Sequence, residues 1–451
     1  MAPDLIWAVR YARWARRVGT WMAMRPAELE RFQSERLRAV VAHAYAHVEL
    51  YRRKWRQAGV TPDDVKTLAD LSKLPVITRD DFRHSTAGDI LSRRHRPHQC
   101  FEVGTSGSSG SPMTMFVDTD KALLDFSVNL PQHMARCAPV TVTAVLRDLF
   151  LRRGIRYMAI VVDEPHARVF WQMRHTRVNS LCPPVEHVTA INRKRPICLM
   201  TYPSVLRNIC LAVKRDGLEM HQPELIMLSG EVVDPPLRQL IASVFRGTLM
   251  DVYGTTEAGF IAAECPAQAG QHVLAWKAII ELLGEDGREV PPGEPGKVVI
   301  TDLFNRATPI IRYAGLGDYA VRKTEPCSCG RSLPLLARVE GRTVDSVVLP
   351  NGALVHPYRL TLALEDIPHV SKFQIRQEAR DHIRVLLVKD TVREAAGASF
   401  DRDSHLGRTI LGRFDRILDR QVRVDLQTVT DIPRRPGSHK FATVLSLVED
   451  R

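Results

Sequence analysis

From Gln99 to about residue 260 the chain alternates strand-like and helix-like stretches, and few architectures accept that pattern. Strands separated by helical connections build layered α/β sheets, with helices covering the sheet faces. QCFEV (99–103) and MTMFVD (113–118) have strand character and enclose a glycine–serine loop, Gly104–Pro112. KVVITDLF (297–304) and PIIRYAGLGDYAV (309–321), which follow the turn cluster EVPPGEPG, are strand-rich as well. Beyond Arg342 the style changes: a hairpin (372–390), a helix (405–420) and a strand (421–429) describe a compact α+β module. The expectation is an α/β protein of two parts. A large N-terminal domain of layered sheets and helices spans 1–342, and a small, mobile α+β domain spans 343–451.

Length agrees, since 451 residues exceed what one compact core usually holds. Residues 4–58 carry apolar and basic side chains at helical spacing. Leu5–Trp21 is aromatic and basic enough for a membrane-surface helix, but Asp4, Glu28 and Glu30 flank it, which favours a helix packed on the main domain. LPVITRDDFR (74–83) leads into a further helix capped by Thr78 or Asp80. No apolar run approaches the ~20 residues of a membrane span, and the N-terminus lacks a secretory signal's pattern. A cytoplasmic location is expected. The net charge of +12 suits anionic ligands. Its spread along the chain, without zinc-finger spacing or an aromatic RNA-binding signature, argues against a nucleic-acid partner.

Several constellations carry chemistry. In Gly104–Pro112 three glycines let backbone amides turn inward and the hydroxyls add donors, so Thr105, Ser106, Gly107, Ser108, Ser109 and Gly110 can cradle phosphate. It is not a Walker loop, because Ser111 and Pro112 follow Gly110 and a strand follows where a helix should. On composition alone a linker is equally open, though flanking strands oppose it. Tyr253-Gly254-Thr255-Thr256-Glu257 follows an apolar strand, with Ser229-Gly230-Glu231 upstream. Asp318 closes the 311–318 stretch, Glu340-Gly-Arg342 opens the small module, and Pro433–Lys440 is a basic loop near the C-terminus.

In order and spacing these segments resemble the adenylate-forming superfamily of acyl-CoA synthetases, luciferases and peptide-synthetase adenylation domains. The resemblance implies that residues 105–110 grip the ATP phosphates and that Tyr253, Gly254 and Thr255 border the adenine. It puts Ser229, Gly230 and Glu231 along the adenine, Thr256 on phosphate, Glu257 on Mg²⁺ and Asp318 on the ribose. Arg342 would contact ribose or phosphate, and Lys440 the substrate carboxylate and α-phosphate. Catalysis would then rest on Lys440, Glu257 and Thr256. This sequence departs from the family pattern at Ser111, where many members have lysine, and at Val344, where the hinge aspartate is usual. Three residues also separate Tyr313 and Gly317 where two are common.

Of the eight cysteines, Cys100, Cys137, Cys182, Cys198 and Cys210 are isolated and read as packing residues. Cys265 with His272, and Cys327 with Cys329, supply four ligands suited to tetrahedral Zn²⁺. Spacing alone leaves a metal-free turn equally open. The phenylacetate–CoA ligase branch and its capsule-biosynthesis relatives carry similar cysteine pairs and the stretch seen at Leu349–Gly352. That nearer likeness implies a structural zinc. It also implies a ligase for aryl or arylacetic acids, with ATP, Mg²⁺ and coenzyme A. An amine as acceptor, giving an amide ligase, is the alternative, as is a diverged nucleotide-binding protein without turnover. A homodimer is an assembly the sequence leaves open.

Overall fold

The computed structural model describes residues 13–14, 16–104, 114–128, 157–161, 175–340, 347–352, 354–355, 360–361, 363–364, 367–389, 399–432 and 443–448. The glycine–serine loop with Ser111, Cys137, Arg342, Val344 and the Pro433–Lys440 segment lie outside them.

Two helices, α1 (Pro26–His47) and α2 (Glu49–Gln57), form the N-terminal part, and residues 16–22 are helical ahead of them. Trp21 lies 5.3 Å from the ring of Trp276, and Trp14 lies 6.3 Å from Phe304, so this aromatic segment packs on the main domain. Thr78 caps the short helix Arg79–Arg83, its hydroxyl accepting from the Asp81 amide.

A hairpin of β1 (Phe101–Gly104) and β2 (Thr114–Val117) holds the ends of the glycine–serine loop together. It runs into α3 (Thr119–Val128). The central sheet then starts with β3 (Tyr157–Val161) and β4 (His175–Asn179), followed by α4 (Pro184–Lys194), β5 (Cys198–Thr201), α5 (Pro203–Asp216), β6 (Leu225–Ser229), α6 (Pro235–Val244) and β7 (Thr248–Thr255). It continues through β8 (Gly259–Glu264), β9 (Gln271–Val273), β10 (Ala278–Leu283), β11 (Pro295–Asp302), β12 (Tyr319–Lys323) and β13 (Leu335–Glu340). The strand order is β10-β11-β12-β13-β9-β8-β7-β6-β5-β3-β4. The half from β4 to β7 is parallel, and from β8 onward every pairing is antiparallel.

Alternation along the parallel strands feeds two cores. On β6, Leu225 and Met227 join the core under α1 and α2, while Ile226 and Leu228 join the core under α4, α5 and α6. Strands buried on both faces lose the polar-out alternation of a half-exposed strand, which is why β6 reads as a continuous apolar run.

Residues 309–318 correct the sequence reading. They are a buried loop with an isolated bridge at Tyr313, and only β12 from Tyr319 onward is a strand there. Arg312 causes this. It is buried in the left-handed region (φ 48°), its guanidinium pairs with Glu281 at 2.8 Å and it donates to the Ser72 carbonyl at 3.0 Å. A buried arginine must be paired, and satisfying it takes the backbone out of the sheet.

The small module has the order expected from its sequence. β16 (Val370–Ala379) and β17 (His382–Lys389) form the antiparallel hairpin, α7 (His405–Ile417) the helix, and β18 (Arg423–Val429) a strand parallel to β17, with β19 (Val444–Ser446) beside β16. The short pair β14 (Val347–Val348) and β15 (Leu354–Val355) precedes them. Its apolar residues form a core of their own, centred on Phe373, Ile375, Val385, Ile410 and Phe414.

Candidate functional site

Among the described residues, Ser229–Glu231 and Tyr253–Glu257 lie where the parallel half of the sheet meets the antiparallel half. In open α/β sheets ligands bind at the carboxyl ends of the parallel strands. Here Ser229 ends β6 and Tyr253–Thr255 end β7. Gly230 leaves β6 with φ 87°, a left-handed turn that suits glycine. The Glu231 carboxylate accepts from the Ser204 amide at 2.8 Å and its hydroxyl at 2.9 Å. Its side chain is therefore engaged at the N-terminus of α5, where negative charge complements the helix dipole. Asp234 caps α6 by accepting from the Leu237 amide at 2.7 Å, and takes the Arg207 guanidinium at 2.8 Å.

Tyr253 and Asp318, 65 positions apart, meet directly: the tyrosine hydroxyl donates to the carboxylate at 2.8 Å. Gly317 (φ 72°) turns the chain just before Asp318. The turn between β7 and β8 exposes Thr256 and half-buries Glu257. Inside it, the Ala258 amide donates to the Thr255 hydroxyl at 3.1 Å.

Behind this turn lies a charge cluster that sequence reading missed. Lys121 of α3 is 2% exposed; it reaches Asp125 at 2.7 Å and Asp302 at 2.8 Å, and donates to the Ala258 carbonyl at 2.9 Å. Lys277 is fully buried; it pairs with Asp125 at 2.5 Å and donates to the Phe260 carbonyl at 2.6 Å. Burial opposes charge on both lysines. For Lys121, two carboxylates outweigh it and hold the ammonium above its usual range, whereas Lys277 is pushed down to about 8. Gly259 sits between the two anchored carbonyls with φ 68°, and a Cβ there would lie 2.7 Å from the Asp125 carboxylate. The i,i+4 spacing of Lys121 and Asp125 was the available clue, but such pairs normally sit on solvated helix faces.

At the other end of β8, Cys265, His272, Cys327 and Cys329 converge with all four ligand atoms within 4.8 Å of one another. The Cys265 and Cys327 sulfurs are 3.5 Å apart, and the Cys329 sulfur is 3.3 Å from His272 Nε2. Tetrahedral zinc with bonds of about 2.1–2.3 Å separates its ligands by about 3.5–3.8 Å. The four residues fit such an ion. Burial pushes the Cys265 thiol up to about 12 and the His272 imidazole down to about 4, so a bound cation would supply the charge that thiolates there lack.

Asp251, two residues before Tyr253, is pushed up to about 7 by burial and by neighbouring Glu264, against the pull of Arg238. Glu264 itself is held by Arg238 at 2.7 Å. Among the described residues no helix is long and apolar enough to cross a membrane.

Residues 166–303 match the family described as AMP-binding enzyme. The chain is 26% identical to the phenylacetate-coenzyme A ligase of Escherichia coli, over 82% of this chain and 84% of that protein. It is also 26% identical to the phenylacetate-coenzyme A ligase of Thermus thermophilus, over 76% of each. Among solved structures, 2-hydroxyisobutyryl-CoA ligase in the postadenylation state, in complex with 2-HIB-AMP, superposes with a TM-score of 0.75 at 20% identity, covering 96% of this chain and 91% of that one; this likeness concerns the fold. The chain is thus similar to the adenylate-forming superfamily, and along most of its length to the phenylacetate–CoA ligases.

Proposed function

We propose that this chain is an AMP-forming acid–thiol ligase that activates an aryl or arylacetic acid with ATP and passes the acyl group to coenzyme A. The carboxylate attacks the α-phosphorus in line and pyrophosphate leaves, giving an acyl-adenylate. The thiol sulfur then attacks the acyl carbon and AMP leaves. Positioning and charge stabilisation carry most of such a reaction. Residues 105–110 grip the departing pyrophosphate, and Asp318, oriented by Tyr253, takes the ribose. Backbone at Ser229–Glu231 borders the adenine, with the Glu231 side chain occupied at α5. Lys440 would reach the substrate carboxylate and α-phosphate, and Arg342 the ribose or phosphate. Glu257 would hold Mg²⁺, which when bound neutralises phosphate charge; Thr256 beside it contacts phosphate. Cys265, His272, Cys327 and Cys329 would hold a structural zinc that ties the end of β8 to β9 and the loop before β13.

The observation that carries this reading is the Tyr253–Asp318 contact at the carboxyl end of β7, beside the Glu257 turn. The separate core of residues 347–444 supports a domain of 343–451 that rotates between the two half-reactions. Incubation with ATP, a panel of carboxylic acids, and either coenzyme A or amines tests the acceptor. A thioester is expected, and amide formation without thioester would move the chain to the amide ligases.

A further inference from the structure

We infer that Lys121, Asp125, Lys277 and Asp302 form a positioning strut that sets the phosphate-gripping hairpin in register with the Glu257 turn; this rests on the reading of the site given above. The four side chains come from three places: α3, the segment before β10, and the end of β11. Two of those places, α3 and the end of β11, are tied to the foot of the glycine–serine hairpin. α3 follows directly from β2, and Asp118 at its start accepts from the Lys121 amide at 2.8 Å and the Arg306 amide at 2.8 Å. The Phe116 carbonyl of β2 accepts from Asn305 Nδ2 at 3.0 Å. Asp302 in turn accepts from the Phe304 and Asn305 amides at 2.7 and 2.9 Å. The foot of the glycine–serine hairpin is thus bolted to the end of β11, and the strut continues from there to the turn.

At the turn, the contacts are with backbone. Two ammonium groups hold the carbonyls of Ala258 and Phe260, on either side of Gly259 and immediately after Glu257. Holding both carbonyls inward dictates which way the preceding Thr256 and Glu257 side chains project. Two lysines and two aspartates also cancel in charge, so the cluster sits in the core without an external ion. A merely stabilising core would use apolar side chains here, since buried ion pairs are weak contributors to stability. Ammonium groups aimed at carbonyls instead give direction, and a misplacement of about 1 Å in such a site costs about 100-fold in rate.

The test uses the full chain and two measurements: acid-dependent ATP–pyrophosphate exchange, and Mg·ATP affinity by equilibrium dialysis. Asp125→Asn is expected to fold, to lower exchange turnover about 100-fold and to weaken Mg·ATP, with the acid KM within about threefold. Ile191→Ala, a core truncation in α4, is expected to lower the melting temperature at least as much while keeping turnover within about twofold. Asp125→Asn behaving like Ile191→Ala in turnover and Mg·ATP affinity would overturn the strut. Should the single variant not fold, the charge-balanced Asp125→Asn/Lys277→Met pair is read in the same way. A wild type that binds Mg·ATP but shows no acid-dependent exchange would refute the proposed function, and the affinities of the variants would still decide the strut. A wild type that binds no Mg·ATP would overturn both.

Discussion

The two ends of β8 hold buried polar clusters built on opposite electrostatic plans. At its start, Lys121, Lys277, Asp125 and Asp302 neutralise one another and spend their remaining donors on backbone carbonyls. At its end, Cys265, His272, Cys327 and Cys329 bring only ligand atoms and no cation. The first is complete as folded, while the second would be completed by the proposed zinc. On that reading one strand has its active-site end set by internal charge and its far end by a metal, and different perturbations should loosen each.

The sharpest way to break the first half of the comparison is a double-mutant cycle. Lys277→Met alone leaves a buried carboxylate in excess and should cost about 3–5 kcal/mol in urea unfolding. Asp125→Asn added to it should cost less than its own single effect, with a coupling of about 1–3 kcal/mol. Additive effects would mean that the charges do not compensate one another. For the far end, the purified chain should carry one zinc by elemental analysis. Cys329→Ser should lose that ion and about 3 kcal/mol of stability, the effect of an ion held at a hundredfold its dissociation constant. Lys277→Met should keep the metal. Chelation that changes neither metal content nor unfolding midpoint would remove the contrast.

A pH-dependent effect sharpens the picture between the two ends. Burial and neighbouring Glu264 push the Asp251 carboxyl up to about 7 in the fold, against 3.8 for an ordinary aspartate. The folded state thus holds a proton that the unfolded state releases, so this group's contribution to stability is full below pH 3.8 and is lost as pH rises through 7. Asp251→Asn should accordingly gain up to about 4 kcal/mol over wild type at pH 8 relative to pH 4, read from unfolding at both pH values. A gain that does not depend on pH would assign the effect to packing.

Much of this arrangement was legible in the chain because it depends on local pattern. The β1–β2 hairpin, the Thr78 cap and the hairpin–helix–strand order of the small module all follow from periodicity and turn residues. The loop at 309–318 was misread as strand, since its apolar spacing is right and the deciding fact, Arg312 meeting Glu281, is a contact between distant positions. Tyr253 and Asp318 were each singled out by motif, but their mutual hydrogen bond had no local trace. The lysine–aspartate cluster was hidden for the same reason. Besides the i,i+4 spacing of Lys121 and Asp125, Lys277 in the apolar run VLAWKAII was its visible anomaly, and nothing nearby in sequence identifies Asp125 or Asp302 as partners of Lys277.

The central claim is that acid and ATP react on this chain before any thiol arrives. Acid-dependent exchange of labelled pyrophosphate into ATP, measured without coenzyme A in wild type and in Lys440→Ala, tests it most directly. The account predicts exchange in wild type only when a suitable carboxylic acid is present, and a loss of several orders of magnitude in the variant. Exchange that needs coenzyme A, or that persists undiminished without the Lys440 amine, would contradict it.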